Sequence, residues 1–92
     1  MFCYEVSAVV PDSLRPQFEE YMLAKHIAEV LETGCFVRAR FCALAHSYAT
    51  SYIARSQSEV DRYLEHFTEA MRDDFKLHFP EGIELSRRIY EE

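Results

Sequence analysis

Three residue types in this chain are the best candidates to do chemistry. The first is His26, a side chain able to carry a proton near neutral pH. It stands where the apolar pattern of a helix changes phase, so nearby backbone groups would be free to meet a ligand. The alternative is a hydrogen-bonded histidine that holds the helix end. Arg38 and Arg40 share one face of a following strand, where two guanidinium forks could grip an anion. They could equally pair with Glu5 or with acidic residues of a partner, because charge buried at an interface demands pairing. Tyr4, Tyr21, Tyr48 and Tyr52 offer phenols to a pocket, or serve as amphipathic core and interface residues. Phe36, Tyr21 and Tyr52 join the two arginines as candidate ligand contacts, with His26 as the candidate catalytic group.

Other chemistries have less support. His66-x-x-Glu69 and Asp74-x-x-x-His78 each set two ligand types on one helical face, but a metal site needs three or four convergent groups. With histidines dispersed at 26, 46, 66 and 78, no metal is expected. Cys3, Cys35 and Cys42 fall within strand-like stretches without CxxC spacing, where thiols act as small hydrophobes. Two glycines cannot build a phosphate-cradling loop, and no cofactor is expected.

These groups must be held by elements that the hydrophobic pattern predicts. Phe2 to Val10 alternates, with Phe2, Tyr4, Val6, Ala8 and Val10 on one side and Cys3, Glu5, Ser7 and Val9 on the other: a half-buried strand. Pro11-Asp12-Ser13 breaks it, and Ser13 is the expected N-cap, with Pro16 in the first helical turn. Leu14, Phe18, Tyr21 and Met22 then form one stripe, while Ile27, Val30 and Leu31 lie on nearly the opposite side of an ideal helix. A straight helix cannot set both stripes on one sheet, so a kink, a bulge or two abutting pieces is expected near Lys25-His26.

Gly34 ends that helix by its freedom at positive φ. A strand over Cys35–Leu44 follows, with Cys35, Val37, Ala39, Phe41 and Ala43 toward the core and Phe36, Arg38, Arg40, Cys42 and Leu44 away from it. A second strand spans Ala49 to Arg55, and its core face is undecided. Ser56 and Glu59 stand in capping-box register. Val60, Leu64, Phe67, Met71 and Phe75 form one steady stripe until Pro80 and Gly82 stop the helix. Ile83 to Tyr90 is the last strand, with Ile83, Leu85 and Ile89 on one side and Glu84, Ser86, Arg88 and Tyr90 on the other.

The order is β-α-β-β-α-β in 92 residues, a single domain over residues 1–92. That order defines a ferredoxin-like α+β sandwich: a four-stranded antiparallel sheet with two helices on one face. The bare face would carry Cys3, Glu5, Ser7, Phe36, Arg38, Arg40, Arg88 and Tyr90. Of all residues 49% are hydrophobic and 14% aromatic, more than a small monomer easily hides. A homodimer through the open sheet face is therefore expected.

The net charge of −6 and the absence of a basic stripe speak against nucleic acid. No apolar run approaches the ~18 residues that span a membrane, and no signal peptide is evident. An odd number of cysteines fits reduced thiols in the cytoplasm.

The phrase His26-Ile27-x-x-Val30-Leu31-x-Thr33-Gly34-x-Phe36-x-x-Ala39-Arg40, with Tyr52…Arg55-Ser56…Glu59…Arg62-Tyr63-Leu64, resembles a bacterial domain-of-unknown-function family (number four-two-eight-six). The likeness covers essentially the whole chain, with Ala28 where relatives usually carry proline. It implies the dimeric α/β-barrel superfamily, whose ferredoxin-like monomers pair their sheets face to face and whose pockets lie between helix and sheet, near His26 here. Relatives there include cofactor-independent monooxygenases, isomerases and haem-handling enzymes, and fold alone does not choose among them. Three functions stay open: a homodimeric protein binding a small hydrophobic or anionic ligand; a cofactor-independent oxygenase or isomerase acting on a hydrophobic or aromatic anion, with His26 as proton carrier and an arginine as anchor; or a purely structural interaction module.

Overall fold

Alternation in the first strand decides which side of the sheet is covered. The computed structural model describes residues 1–92 and begins with β1 (Phe2–Val9). A 3-10 turn (Asp12–Leu14), α1 (Arg15–Tyr21), a π-helical segment (Met22–His26) and α2 (Ile27–Glu32) follow without a loop between them. Next come β2 (Arg38–Ala43), β3 (Ser47–Ala54), α3 (Gln57–His66), α4 (Thr68–His78) and β4 (Glu84–Glu91). The sheet is antiparallel in the order β2-β3-β1-β4.

Residues directly opposite in an antiparallel ladder point to the same side. Tyr4 stands opposite Tyr52 and Ile89, Val6 opposite Thr50 and Arg87, and Ala8 opposite Tyr48 and Leu85. This side meets all the helices, and the β3 face left undecided by sequence is settled as Tyr48, Thr50, Tyr52 and Ala54. Two apolar clusters fill the interface. One joins Tyr4, Phe36 and Tyr52 to Val30, Val60 and Tyr63; the other joins Ala8 and Tyr48 to Phe18, Tyr21, Met22 and Phe79. The ferredoxin-like sandwich expected from the element order is the observed fold.

The expected helical irregularity is the π-helical segment, in which the Ile27 N–H reaches back to the Met22 carbonyl. The extra residue resets the phase, so Phe18, Tyr21 and Met22 before it and Val30 after it all become buried on one sheet.

Several boundaries differ from expectation. Ser13 lies inside the 3-10 turn and Pro11 takes the N-cap place, while Pro16 does enter the first turn of α1. The strand expected from Cys35 starts at Arg38. Gly34, at φ +79°, turns the chain, and the Thr33 hydroxyl accepts from the Cys35 N–H at 3.3 Å. Within this turn both Cys35 and Phe36 are buried, so Phe36 belongs to the core and not to the open face. Its ring stacks on Tyr4 with centroids 6.0 Å apart.

Ser56 N-caps α3 without a capping box: its hydroxyl meets Ser58, and the Glu59 carboxylate holds Arg62 at 2.7 Å. The steady stripe expected from Val60 to Phe75 is interrupted. Phe67 leaves helical geometry at φ −123°, ψ −28°, separating α3 from α4. The break sends Phe75 to the second cluster while Val60, Leu64, Phe67 and Met71 serve the first.

Candidate functional site

The helices interrupted at Phe67 and by the π-helical segment pack on the sheet, and between the two layers lies a cavity of about 300 Å³. Tyr4, Val6, Thr50 and Tyr52 line it from the sheet, and Phe18, Met22, Tyr63, Met71 and Phe75 from the helices. It is at the small end of the roughly 300–1,000 Å³ of ligand pockets.

Tyr52 is the polar group most in want of a partner. It is 2% exposed, lines the cavity, and its hydroxyl makes no hydrogen bond. Burial in apolar surroundings pushes its phenol far above the usual range, so it stays a neutral donor. A buried hydroxyl without a partner costs about 1–3 kcal/mol, which a ligand acceptor would recover.

His26, the last residue of the π-helical segment, also lines the cavity. Its ring stacks on Tyr21, centroids 5.4 Å apart. The Tyr21 hydroxyl donates to Asp74 Oδ2 at 2.8 Å and faces His26 Nδ1 at 3.4 Å. Because Tyr21 has one proton and gives it to Asp74, its oxygen can only accept from His26. That assigns the proton to Nδ1 and leaves Nε2 as a free acceptor. Lys25 donates to the same Asp74 oxygen at 2.9 Å and to Glu29 at 3.0 Å. Lys25 and Tyr21 hold the Asp74 carboxyl below its ordinary range, and burial with Asp74 raises the Tyr21 phenol.

Burial lowers the His26 pKa below the ordinary 6.5, despite the carboxylates of Glu29 and Asp74. The unfolded chain therefore binds this proton more tightly than the folded one. Stability falls as pH drops through 6.5 toward the depressed value and is flat again below it. We expect His26→Gln to flatten that part of the stability–pH curve, measured by urea denaturation at stepwise pH. An unchanged slope would mean that His26 does not supply it.

Sequence and structure agree only partly on which groups come together. His26 and Tyr52 share the cavity. Tyr21 lies behind His26, in contact with it and with Asp74. Arg38 and Arg40 open outward on the bare sheet face, opposite Ile53 and Ser51. Neither is the partner of Glu5, whose carboxylate takes Arg88 Nε at 2.7 Å and the Ser51 hydroxyl at 3.3 Å. Phe36 packs behind Tyr52 in the first cluster, centroids 5.4 Å apart. His78 Nδ1 lies 2.9 Å from the Asp74 carbonyl oxygen, and no three metal-capable side chains converge.

Three charged cavity residues escaped the sequence reading: Arg72, Lys76 and Arg87. Arg72 and Lys76 are four apart on α4, which places them on one helical face beside Met71 and Phe75, a signal present in the sequence. Arg87 points toward the helices, its Nε donating to the Tyr4 hydroxyl at 3.1 Å.

Over its whole length, residues 1–92, the sequence matches the domain of unknown function DUF4286. The chain belongs to that family. No curated protein matches it. Among solved structures, this DUF4286 chain is similar to a protein assigned as an antibiotic biosynthesis monooxygenase from Nitrosomonas europaea, with a TM-score of 0.72 at 14% identity, covering 100% of this chain and 98% of that one. It is also similar to an ethyl tert-butyl ether D (EthD) family protein from Bacillus halodurans C-125, with a TM-score of 0.70 at 12% identity over 100% and 99% of the two chains. At such identities the likeness establishes the ferredoxin-like fold of the DUF4286 chain and no activity. No helix of the DUF4286 chain is long and apolar enough to cross a membrane.

Proposed function

We propose that this DUF4286 protein is a homodimeric small-molecule-binding protein whose ligand, largely apolar but with a hydrogen-bond acceptor for Tyr52, sits in the cavity between helices and sheet. The observation that carries this reading is the Tyr52 hydroxyl, buried beside the cavity without a partner. A chain that served only as a structural module would gain by filling such a space, since empty volume forfeits dispersion contacts. The dimer is supported by the sheet face that no helix covers, where Val9 and Leu44 stand 52% and 53% exposed and the central Ala49 is half-buried.

The test is titration with N-phenyl-1-naphthylamine, a neutral apolar fluorophore. Saturable binding to the wild type is expected, with at least about tenfold loss in Met71→Trp, where the indole occupies the cavity. Thermal melting checks that the variant is folded. A folded Met71→Trp chain that binds as the wild type does, or a wild type without saturable binding, overturns the reading.

A second reading is favoured by His26. A neutral imidazole with a free Nε2, held from behind by Tyr21 and Asp74, is built as a proton acceptor. The cavity would then serve a cofactor-independent isomerase or oxygenase acting on a bound C–H acid. In that case His26→Gln abolishes turnover of a substrate found by screening and leaves its binding intact. Equal loss of both would leave His26 a binding residue.

A further inference from the structure

We infer that the ligand of this cavity is an amphipathic monoanion, with its apolar body among the aromatic side chains and its carboxylate-like head held by Arg72, Lys76 and Arg87. The inference rests on the cavity being a ligand site and adds the chemical class of what it takes.

Charge distribution carries it. The chain has 16 acidic residues against 10 basic ones, yet the cavity lining contains no Asp or Glu and includes three permanent cations. All three are exposed residues, so their charged ends reach water at the mouth while their stems cover apolar wall. None takes part in a salt bridge. The ion pairs of the protein engage Lys25, Arg62, Arg88, His66 and His78 instead. In an acidic chain, three unpaired cations around an apolar opening leave an electrostatic demand that the protein itself does not meet.

Their placement is also convergent. Arg72 and Lys76 come from one face of α4 and Arg87 from the edge strand β4, so two elements supply the head site. Arg72 and Arg87 both lie close enough to the Tyr63 phenol to oppose the effect of its burial. Arg87 is held by the Tyr4 hydroxyl through Nε, which leaves its terminal nitrogens to a ligand oxygen. Arg38 and Arg40, the guanidinium pair suggested by the sequence, cannot share this role because they open on the opposite face of the sheet.

The experiment is displacement of N-phenyl-1-naphthylamine by three amphiphiles of one chain length: decanoate, 1-decanol and decyltrimethylammonium. Decanoate should displace the probe at about one-tenth the concentration of decanol at low salt, with the advantage shrinking as salt screens the exposed head site. Arg72→Gln/Lys76→Gln should erase most of the advantage while still binding the neutral probe. Arg55→Gln, at a cation that does not line the cavity, should keep it. If decanol matches decanoate, or the cationic amphiphile binds best, the anion inference fails while the cavity remains a ligand site. If the wild type does not bind the neutral probe, both fall together.

Discussion

Replacing Phe18 with alanine should remove about 3–5 kcal/mol of stability, the cost of truncating a phenylalanine buried among other rings. Phe18 is 2% exposed and its ring meets four others. The centroids lie 4.9 Å from Tyr48, 6.0 Å from Phe79, 6.2 Å from Phe41 and 6.4 Å from Phe75. Those partners belong to β2, β3, α4 and the residue after α4, so one side chain ties α1 to both the sheet and the last helix. Domains hold only about 5–15 kcal/mol in total, so the loss would leave the variant close to unfolding at growth temperature. Urea denaturation should show a much lower midpoint with little change in slope. Leu77→Ala, at a residue 82% exposed, should stay within about 0.5 kcal/mol of the wild type. A loss below about 1 kcal/mol at Phe18 would mean that the second cluster is not a tightly packed core.

That ring also shows why the fold was legible. Phe18, Tyr21 and Met22 announced a buried stripe by their spacing, and the conflict with Ile27 and Val30 required an irregular turn between them. A π-helical segment is the cheapest answer, because one extra residue rotates the helix without breaking its hydrogen bonds. The β3 face stayed ambiguous because tyrosine and threonine are half polar. Only pairing with Tyr4, Val6 and Ala8 assigned them to the core. Phe36 was misread because alternation was begun three residues early, across a turn that Gly34 and Thr33 shape. The break at Phe67 left no mark in an apolar stripe that stays in phase on both sides of it.

The cavity was less legible than the sheet. His26 and Tyr52 could be nominated by type, but a void between layers depends on how far helices stand from the strands, which periodicity does not encode. Arg72 and Lys76 sat on a spacing that would have paired them, yet nothing local told a solvated helix face from the mouth of a pocket. Arg87 and Arg88 are the clearest case. Adjacent in the chain, they go to opposite sides of the sheet, Arg88 to Glu5 on the bare face and Arg87 to Tyr4 beside the cavity.

The bare face leads to the other large effect. Ala49, on the central strand β3, stands between Ser7 and Cys42 on the side away from the helices. In a lone chain Ala49→Glu would set a carboxylate in water at little cost. In a dimer closed over this face it would bury two of them, each without a designed partner, at about 3–5 kcal/mol apiece. Sedimentation at micromolar protein should therefore find the wild type dimeric and Ala49→Glu monomeric, with the dissociation constant raised by several decades. The Arg40–Ser51–Glu5–Arg88 row beside it explains why the substitution must be a charge and not a larger apolar group. This face already mixes ions with hydrophobes, and two copies closed over it could absorb an added methyl but not two buried carboxylates. If the wild type sediments as a monomer, this face is wet and the homodimer is wrong. If Ala49→Glu sediments as a dimer like the wild type, the copies meet elsewhere, and Leu23 and Leu77, 64% and 82% exposed on the helical layer, become the next positions to charge.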